Sequence, residues 1–330
     1  MPTWSERVAA IHAGSTRLAV VDAAGPVSGR ELIGRARSAA DFLTALDGAD
    51  GCAVPALVTT NADALALLLG GAAADRPLAP LGPRLTVTEL ATMVAGTGSR
   101  VLLTEPAFRA TAEEIGAATG TRVITVPALP VSAETMPTPR TEIALYLHTS
   151  GTTGAPKRVP FTQSVMSART EVLSGLAGFG PDDRYATGSP LHHLGGLGNI
   201  MAALSCGSAI LSTTRFSTAW WRGLPALGAT QCLLVPTMIE MLLTEKLLDA
   251  VPLRTLLYGA APITPDTLRR VLNVLPGVAL VNLFGQTEGS PITCLDADDH
   301  RRAADGADEL LNTVGRPVQG VQMKVDRPDE

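Results

Sequence analysis

The chain has 330 residues, a formal net charge of −5, 46% hydrophobic and 17% charged residues. The length is enough for two or three packed units, and the composition is that of a globular protein. The mild negative charge argues against a dedicated nucleic-acid binder, which carries a basic patch or stripe.

The cysteines, Cys52, Cys206, Cys232 and Cys294, have no metal-like spacing. Four scattered cysteines suggest a reducing compartment, and the N-terminus lacks the apolar core of a secretory signal. A cytoplasmic protein is expected. The longest uncharged run, residues 194–214, holds several Gly and Ser and an Asn. It reads as a buried helix followed by a strand rather than a membrane span. Lysine occurs only at Lys157, Lys246 and Lys324.

In chain order, "RLAVVDA" predicts a strand. "SGRELIGRARSAADFLTAL" predicts a helix capped by Ser28 with Leu32, Ile33, Ala36, Ala39, Ala40 and Leu43 on one face. "VPALVTT" is an apolar strand. "NADALALLLGGAAAD" is a helix capped by Asn61 and ended by its Gly pair. "TVTELATMVAGTG" is a helix with a Gly stop, and "RVLLTE" and "RVITVP" are short buried strands. Residues 126–142 contain Pro127, Pro130, Pro137 and Pro139 and predict a connection between subdomains. Further strands are expected at "IALYLHT", "SAILSTT", "ATQCLLVP", "TLLYGA" and "VALVNLFG". "TPDTLRRVLNVL" is a helix, "DADDHRRAADGADE" a charged surface loop, and "GRPVQGVQMKV" a turn entering a strand. Strands alternating with helices imply mostly parallel sheets covered on both faces. No internal repeat is present.

"LHTSGTTGAPK", residues 147–157, is the first stretch that carries chemistry. A polar turn is the plain reading, but "EIALYLHT" needs no such long Gly/Thr/Ser loop to turn. A Walker loop needs four residues between its first Gly and Gly-Lys-Ser/Thr, then a helix. Here two residues separate Gly151 from Gly154, and Lys157 precedes Arg158-Val159-Pro160, which disfavours a helix start. The composition still suits a polyphosphate. Gly151 and Gly154 permit close backbone approach, Thr149, Ser150, Thr152 and Thr153 supply hydroxyls, and Lys157 supplies a positive charge.

"NLFGQTEGS" follows a predicted strand and holds Glu288 in a Gly/Thr loop, either as a solvated carboxylate or as a ligand for a hard cation. "LYGAAPIT" runs from a strand into small residues, and "SPLHHLGGLG" contains two of the five histidines.

Together these stretches resemble the ANL adenylating enzymes, which include acyl- and aryl-CoA ligases, peptide-synthetase adenylation domains and luciferases. "TSGTTGAPK" resembles their phosphate-binding signature, although Arg158 and Gln163 stand where the family usually has Gly and His. The resemblance implies that Thr149, Ser150, Gly151, Thr152, Thr153, Gly154 and Lys157 hold ATP phosphates. By the same likeness Thr287 contacts the α-phosphate and Glu288 holds Mg²⁺. Gly259, Ala260, Ala261 and Pro262 form one wall of an adenine site, with Asn282, Phe284 and Gly285 opposite. Phe284 replaces the usual Tyr. His193, Gly195, Gly196 and Gln286 are placed on the acid side, with Thr287, Glu288, His193 and Lys157 as the catalytic set. No Asp stands where peptide-synthetase domains hold an amino group, so a plain carboxylic acid is expected.

The implied fold is two α/β subdomains with mostly parallel sheets, at residues 1–135 and 136–311. "VGRPVQGVQMKV" resembles the opening of a small β-barrel subdomain, placed at 312–330. The early phosphate loop matches compact members such as o-succinylbenzoate-CoA ligase. The family's C-terminal part, about a hundred residues or more, carries a ribose-binding Asp, a hinge and a catalytic Lys. The chain therefore reads as an N-terminal large domain, truncated by design or by proteolysis, and weakly active alone. The implied reaction uses ATP and Mg²⁺ to make an acyl-adenylate, with CoA as second substrate. The alternatives are loading of a carrier protein or another nucleophile, and a non-catalytic nucleotide-binding module. No nucleic acid or membrane partner is expected.

Overall fold

A computed structural model describes residues 2–48, 51–149 and 156–324. In chain order the strands are β1 (Leu18–Asp22), β2 (Gly25–Ser28), β3 (Val54–Leu57), β4 (Leu78–Leu81) and β5 (Val101–Thr104). They continue as β6 (Arg122–Thr125), β7 (Ile143–Thr149), β8 (Lys157–Thr162), β9 (Arg184–Thr187) and β10 (Ala209–Ser212). The last are β11 (Gln231–Leu234), β12 (Thr255–Gly259), β13 (Ala279–Gln286), β14 (Gly289–Leu295) and β15 (Arg316–Pro317). The helices are α1 (Trp4–His12), α2 (Gly29–Thr44), α3 (Ala62–Ala73), α4 (Val87–Thr97), α5 (Arg109–Thr119) and α6 (Gln163–Ala177). They end with α7 (Leu194–Leu204), α8 (Thr218–Gly223), α9 (Pro236–Thr244), α10 (Pro265–Val274) and α11 (Ala297–Ala304).

These strands form two mixed, mostly parallel sheets. The smaller has six strands in the order β6-β5-β3-β4-β7-β8, and the larger nine in the order β15-β14-β13-β12-β11-β9-β10-β1-β2. Only the β7–β8 pair is antiparallel in the first. In the second, β1–β2, β13–β14 and β14–β15 are antiparallel.

The sheets do not divide the chain at residue 135. β1 and β2 belong to the larger sheet, where Val20 pairs with Ile210, and β7 and β8 belong to the smaller one. The proline-rich stretch has no regular structure, as its composition predicts, but it joins β6 to β7 of one sheet rather than two subdomains. Its backbone is tied down by Ser132 N–H donating to Gly34 O (3.1 Å) and Ser38 Oγ donating to Pro130 O (2.8 Å). Residues 316–317 add an edge strand to the larger sheet.

Local signals explain most elements. Thr3, Ser28 and Thr86 each accept from the N–H of a glutamate three residues on, whose carboxylate reaches back, closing a capping box. Asn61 and Thr264 cap α3 and α10 alone. Gly98 ends α4 in the left-handed conformation.

Two expectations fail. Gly70 and Gly71 do not end α3 but lie inside it. A Cβ at Gly70 would strike the backbone of Ala36 and Ala40, so the glycine lets α2 and α3 touch. The charged stretch 296–309 is not a surface loop; it holds α11. Asp296 accepts from Asp299 N–H (2.9 Å), and acidic residues start the helix while Arg301 and Arg302 end it, matching the helix dipole. Its Asp299 and His300 are buried.

Candidate active site

The β7–β8 hairpin carries the predicted phosphate loop. Thr149 pairs with Lys157 and His148 with Arg158, so the chain enters and leaves the loop on adjacent strands. Lys157 begins a strand, not a helix, and its side chain is exposed. Ser150, Gly151, Thr152, Thr153 and Gly154 lie outside the described residues.

The two positions that depart from the family pattern have structural work. Arg158 donates from Nη1 to the carbonyls of Gly96 (3.2 Å) and Thr97 (3.0 Å), and stacks 4.8 Å from the Tyr146 ring centre. Gln163 is buried; it donates to Ala72 O (3.0 Å) and accepts from Ser5 N–H (3.2 Å). Both therefore bind elements of the fold together.

A cavity of about 420 Å³ brings the other motifs together. Gly259, Ala260, Ala261 and Pro262 line one side, and Asn282, Phe284 and Gly285 line another. β12 and β13 are parallel neighbours with Tyr258 opposite Asn282, so both motifs leave the sheet at its carboxyl edge, where open α/β sheets bind ligands. A side chain at Gly259 would collide with the Leu283 carbonyl. Ala260 holds φ = +66°, a conformation that is strained for a non-glycine residue. Phe284 is 47% exposed, a large aromatic left uncovered beside the cavity. Asn282 is buried and its Oδ1 has no protein partner. Such an orphan acceptor is costly unless a ligand or water serves it.

Residues 311–314, which the sequence reading did not assign, close the cavity. Thr293 Oγ1 donates to Val314 O (2.6 Å). Gly315 holds φ = +76° where any side chain would collide with the Cys294 carbonyl, and Arg316 binds Asp299. "GRPVQGVQMKV" reads as a turn entering a strand, but nothing in its residue types says which wall its approach builds. Behind the cavity, Tyr258 pairs with His300 Nε2 (2.8 Å), whose Nδ1 lies 2.6 Å from Asp296 O. The carbonyl requires Nδ1 to donate, so Nε2 accepts from the Tyr258 hydroxyl.

Thr287 and Glu288 form the turn of the β13–β14 hairpin, directly after Gln286. Glu288 is exposed and has no hydrogen-bond or ion-pair partner among the described residues. No cluster of three or more His, Cys, Asp or Glu suited to a metal occurs among them. Glu288 itself does not line the cavity but follows Gly285, which does, by three residues; a single free carboxylate fits a Mg²⁺ whose other ligands would be phosphate oxygens and water.

His193 is the N-cap residue of α7, with no side-chain cap bond. Its carbonyl accepts from Gly196 (3.0 Å) and Leu197 (2.9 Å) N–H. Gly195 faces open space, whereas Gly196 packs on Ser189 and the Pro190 carbonyl. His192 packs against His193 with ring centres 4.2 Å apart and planes tilted by 48°, and fits against Gly82 just after β4. Desolvation pushes the His192 pKa down to about 4 and lowers that of His193, so both are neutral at pH 7. Neither Lys157 nor His193 lines the 420 Å³ cavity.

A larger cavity, about 730 Å³, lies beyond these motifs, among the ends of β1, β3, β5, β6 and β10. Its charged groups are mutually occupied: Arg35 pairs with Asp63 (2.9 Å), Asp22 accepts from Ala62 N–H (2.8 Å), and Glu105 accepts from Thr59 N–H (2.8 Å) and Asn61 (2.7 Å). The smaller cavity, with its orphan acceptor and uncovered aromatic, is the better candidate despite its size.

Residues 6–330 match a known family, described as AMP-binding enzyme. The chain belongs to that family. Among curated relatives, the chain is 30% identical over 281 residues to the fatty acid–[acyl-carrier-protein] ligase ScoC of Streptomyces coeruleorubidus, covering 78% of this chain and 52% of the relative. It is 28% identical over 324 residues to an indoleacetate–CoA ligase of Aromatoleum aromaticum, covering 91% and 62%. Among solved structures, the amide bond synthetase McbA of Marinactinospora thermotolerans superposes with a TM-score of 0.83 at 27% identity, covering 96% of this chain and 65% of that one. The chain thus spans about half to two thirds of the length of these relatives. No helix among the described residues is long and apolar enough to cross a membrane.

Proposed function

We propose that the chain binds ATP and activates a carboxylic acid as its acyl-adenylate, releasing pyrophosphate. The observation that carries this reading is the 420 Å³ cavity, where a wall of small residues faces Phe284 and the unpaired Asn282 Oδ1. A flat base fits between the small wall and the aromatic ring, and Asn282 Oδ1 can accept from the exocyclic amino group of adenine.

From there the triphosphate runs past Thr287 toward Thr149 and Lys157. Lys157 neutralises charge on the departing phosphates, and the Thr287 hydroxyl donates to the α-phosphate. Glu288 is the residue that would hold Mg²⁺, which supplies charge neutralisation at the phosphates when bound. A carboxylate oxygen of the acid attacks the α-phosphorus, and the bond to the β-phosphate oxygen breaks as pyrophosphate leaves. The chain contributes mainly positioning and electrostatic complementarity. Neutral His193 and the first turn of α7 at Gly195 and Gly196 border the acid, as does Gln286.

In the whole protein a thiol, that of CoA, attacks the acyl carbon and displaces AMP. The relatives above use a carrier protein or CoA, or form an amide. The acceptor is therefore read from a direct competition between CoA, a carrier protein and an amine. The small β-barrel, the catalytic lysine and weak activity of this piece alone belong to the same proposal.

The deciding experiment measures ATP·Mg²⁺ binding by calorimetry and pyrophosphate release with a carboxylate panel, for the wild type, Lys157→Ala and Glu288→Gln. Loss of release in both variants with folding intact supports the reading. Turnover that ignores both substitutions argues for different chemistry. ATP binding without turnover of any acid, even in a version extended to the length of the relatives, argues for a nucleotide-binding module.

A further inference from the structure

One buried cluster is used neither by the fold nor by the proposed chemistry. Arg169, on α6, is 7% exposed, yet its Nε and Nη1 have no hydrogen-bond partner. No ion pair involving it occurs among the described residues. Its guanidinium lies against Gly198 of α7, where any side chain would collide with it. Beside it are the Tyr185 hydroxyl, on β9 and fully buried, and the Asn199 Oδ1 on α7, and neither has a partner. The Tyr185 hydroxyl lies near the Arg169 charge and close to the Asn199 and Thr187 side chains, without a hydrogen bond of normal geometry to either. Three elements therefore converge on unsatisfied polar groups in an otherwise apolar layer.

An arginine buried without a counter-ion is among the least tolerated arrangements in a protein interior. Burial lowers its pKa only to about 10, so it stays charged at neutral pH. Tyr185 and Arg169 both present donors. The hydroxyl proton turns freely, so it can serve Asn199 or an incoming anion.

The location relates this cluster to the site above. By strand register, Tyr185 shares a sheet face with Gln231, Leu257 aligns with Leu233, and Leu283 aligns with Gly259. That face is covered by α6 and α7, whereas Asn282 and Phe284 point to the opposite face. Gly198 is five residues beyond His193 on α7, about 7–8 Å along the helix at 1.5 Å per residue.

We infer that Arg169 recognises a second anionic group at the far end of the acid, so that the substrates are acids with two anionic ends rather than simple fatty or aromatic acids. The distal group is a carboxylate or a sulfonate, held by the Arg169 N–H groups and the Tyr185 hydroxyl. The close approach of α7 at Gly198 keeps the guanidinium in place. This inference rests on the reading of the chain as an acid-activating enzyme and narrows its substrate class.

The test uses the chain with ATP and Mg²⁺ and a matched panel: straight-chain monocarboxylates of four to eight carbons, the α,ω-dicarboxylates of equal length, and the ω-sulfonates. Binding is measured by calorimetry and activation by pyrophosphate release. The expected result is a preference of roughly 100-fold for acids with a second anion, since a site built for a polar group rejects the analogue that lacks it. Within the two-anion set, the relative strength of carboxylate and sulfonate identifies the distal group. In Arg169→Met the preference disappears while ATP still binds. If that variant loses ATP binding as well, Arg169→Lys carries the test and should lose affinity for two-anion acids only. A wild type that binds ATP but prefers, or does not distinguish, the methyl-ended acids overturns the inference and leaves the ATP reading standing. A wild type that binds no ATP overturns the reading beneath it.

Discussion

Arg316 donates from Nη1 to both carboxylate oxygens of Asp299, at 2.9 and 2.7 Å, and thereby fastens the segment that closes the 420 Å³ cavity to helix α11. Asp299 is buried and also accepts from Arg302 at 3.2 Å. The pair lies outside the cavity, but it holds the wall at 311–314 against the sheet.

Asp299→Ala should therefore weaken ATP binding by roughly tenfold, the scale of one lost charge-assisted hydrogen bond. It should also lower Tm. Calorimetry on the folded variant checks this, and an unchanged Kd would show that the wall stands without the pair.

Phe284 gives the opposite pattern. At 47% exposure it contributes little to the core. Phe284→Ala should cost about tenfold in ATP affinity, the scale of an aromatic stacking contact, with Tm nearly unchanged. Phe284→Tyr should stay close to wild type. An alanine variant that binds ATP normally would move the base elsewhere.

Much of this site was legible because backbone-permissive residues and side-chain donors occur together in short stretches. Gly259 to Pro262 and Asn282 to Gly285 line one cavity. Residues 311–314 were not assigned, because Leu, Asn, Thr and Val carry no mark of the wall they form; position in three dimensions gives them their role. Gly70 and Gly71 misled for a related reason, since a glycine that ends a helix and one that admits a neighbouring helix look alike in sequence. Helix α11 was hidden by its charge, although Asp296 at its start and Arg301 and Arg302 at its end are the cap and dipole signals of a short helix. The burial of Arg169 is not legible in sequence, because nothing local distinguishes it from surface arginines.

Gly315 and Gly320 separate two kinds of strain. Both have positive φ, +76° and +82°, but a Cβ at Gly320 meets nothing within 4 Å. Gly320→Ala should cost about 1–2 kcal/mol for the left-handed conformation. Gly315→Ala adds a collision with the Cys294 carbonyl and should cost clearly more. Urea denaturation of the two variants in parallel decides it; equal losses would contradict the collision.

Stability should fall with acid earlier than carboxylates alone would dictate. All five histidines, His12, His148, His192, His193 and His300, have pKa values lowered mainly by burial, with His148 and His192 down to about 4. The unfolded chain binds their protons near the ordinary pKa of about 6.5, before the folded chain does. Their contribution is complete above that value and shrinks as pH falls below it; for His148 and His192 it levels off once their folded pKa of about 4 is passed. Denaturation midpoints at pH 7.5, 6, 5 and 4.5 should decline in that order. A flat profile between pH 7 and 5 would count against these burial effects.

The exchange of strands between the sheets also has a consequence for how the chain is made. The β1–β2 hairpin emerges from the ribosome with one edge unpaired, and its partner β10 is translated about 190 residues later. At typical synthesis rates of about 5–20 residues per second, that edge stays open for roughly 10–40 s. During that interval its exposed backbone is a target for chaperones or for other nascent chains, and only the arrival of β10 ends it.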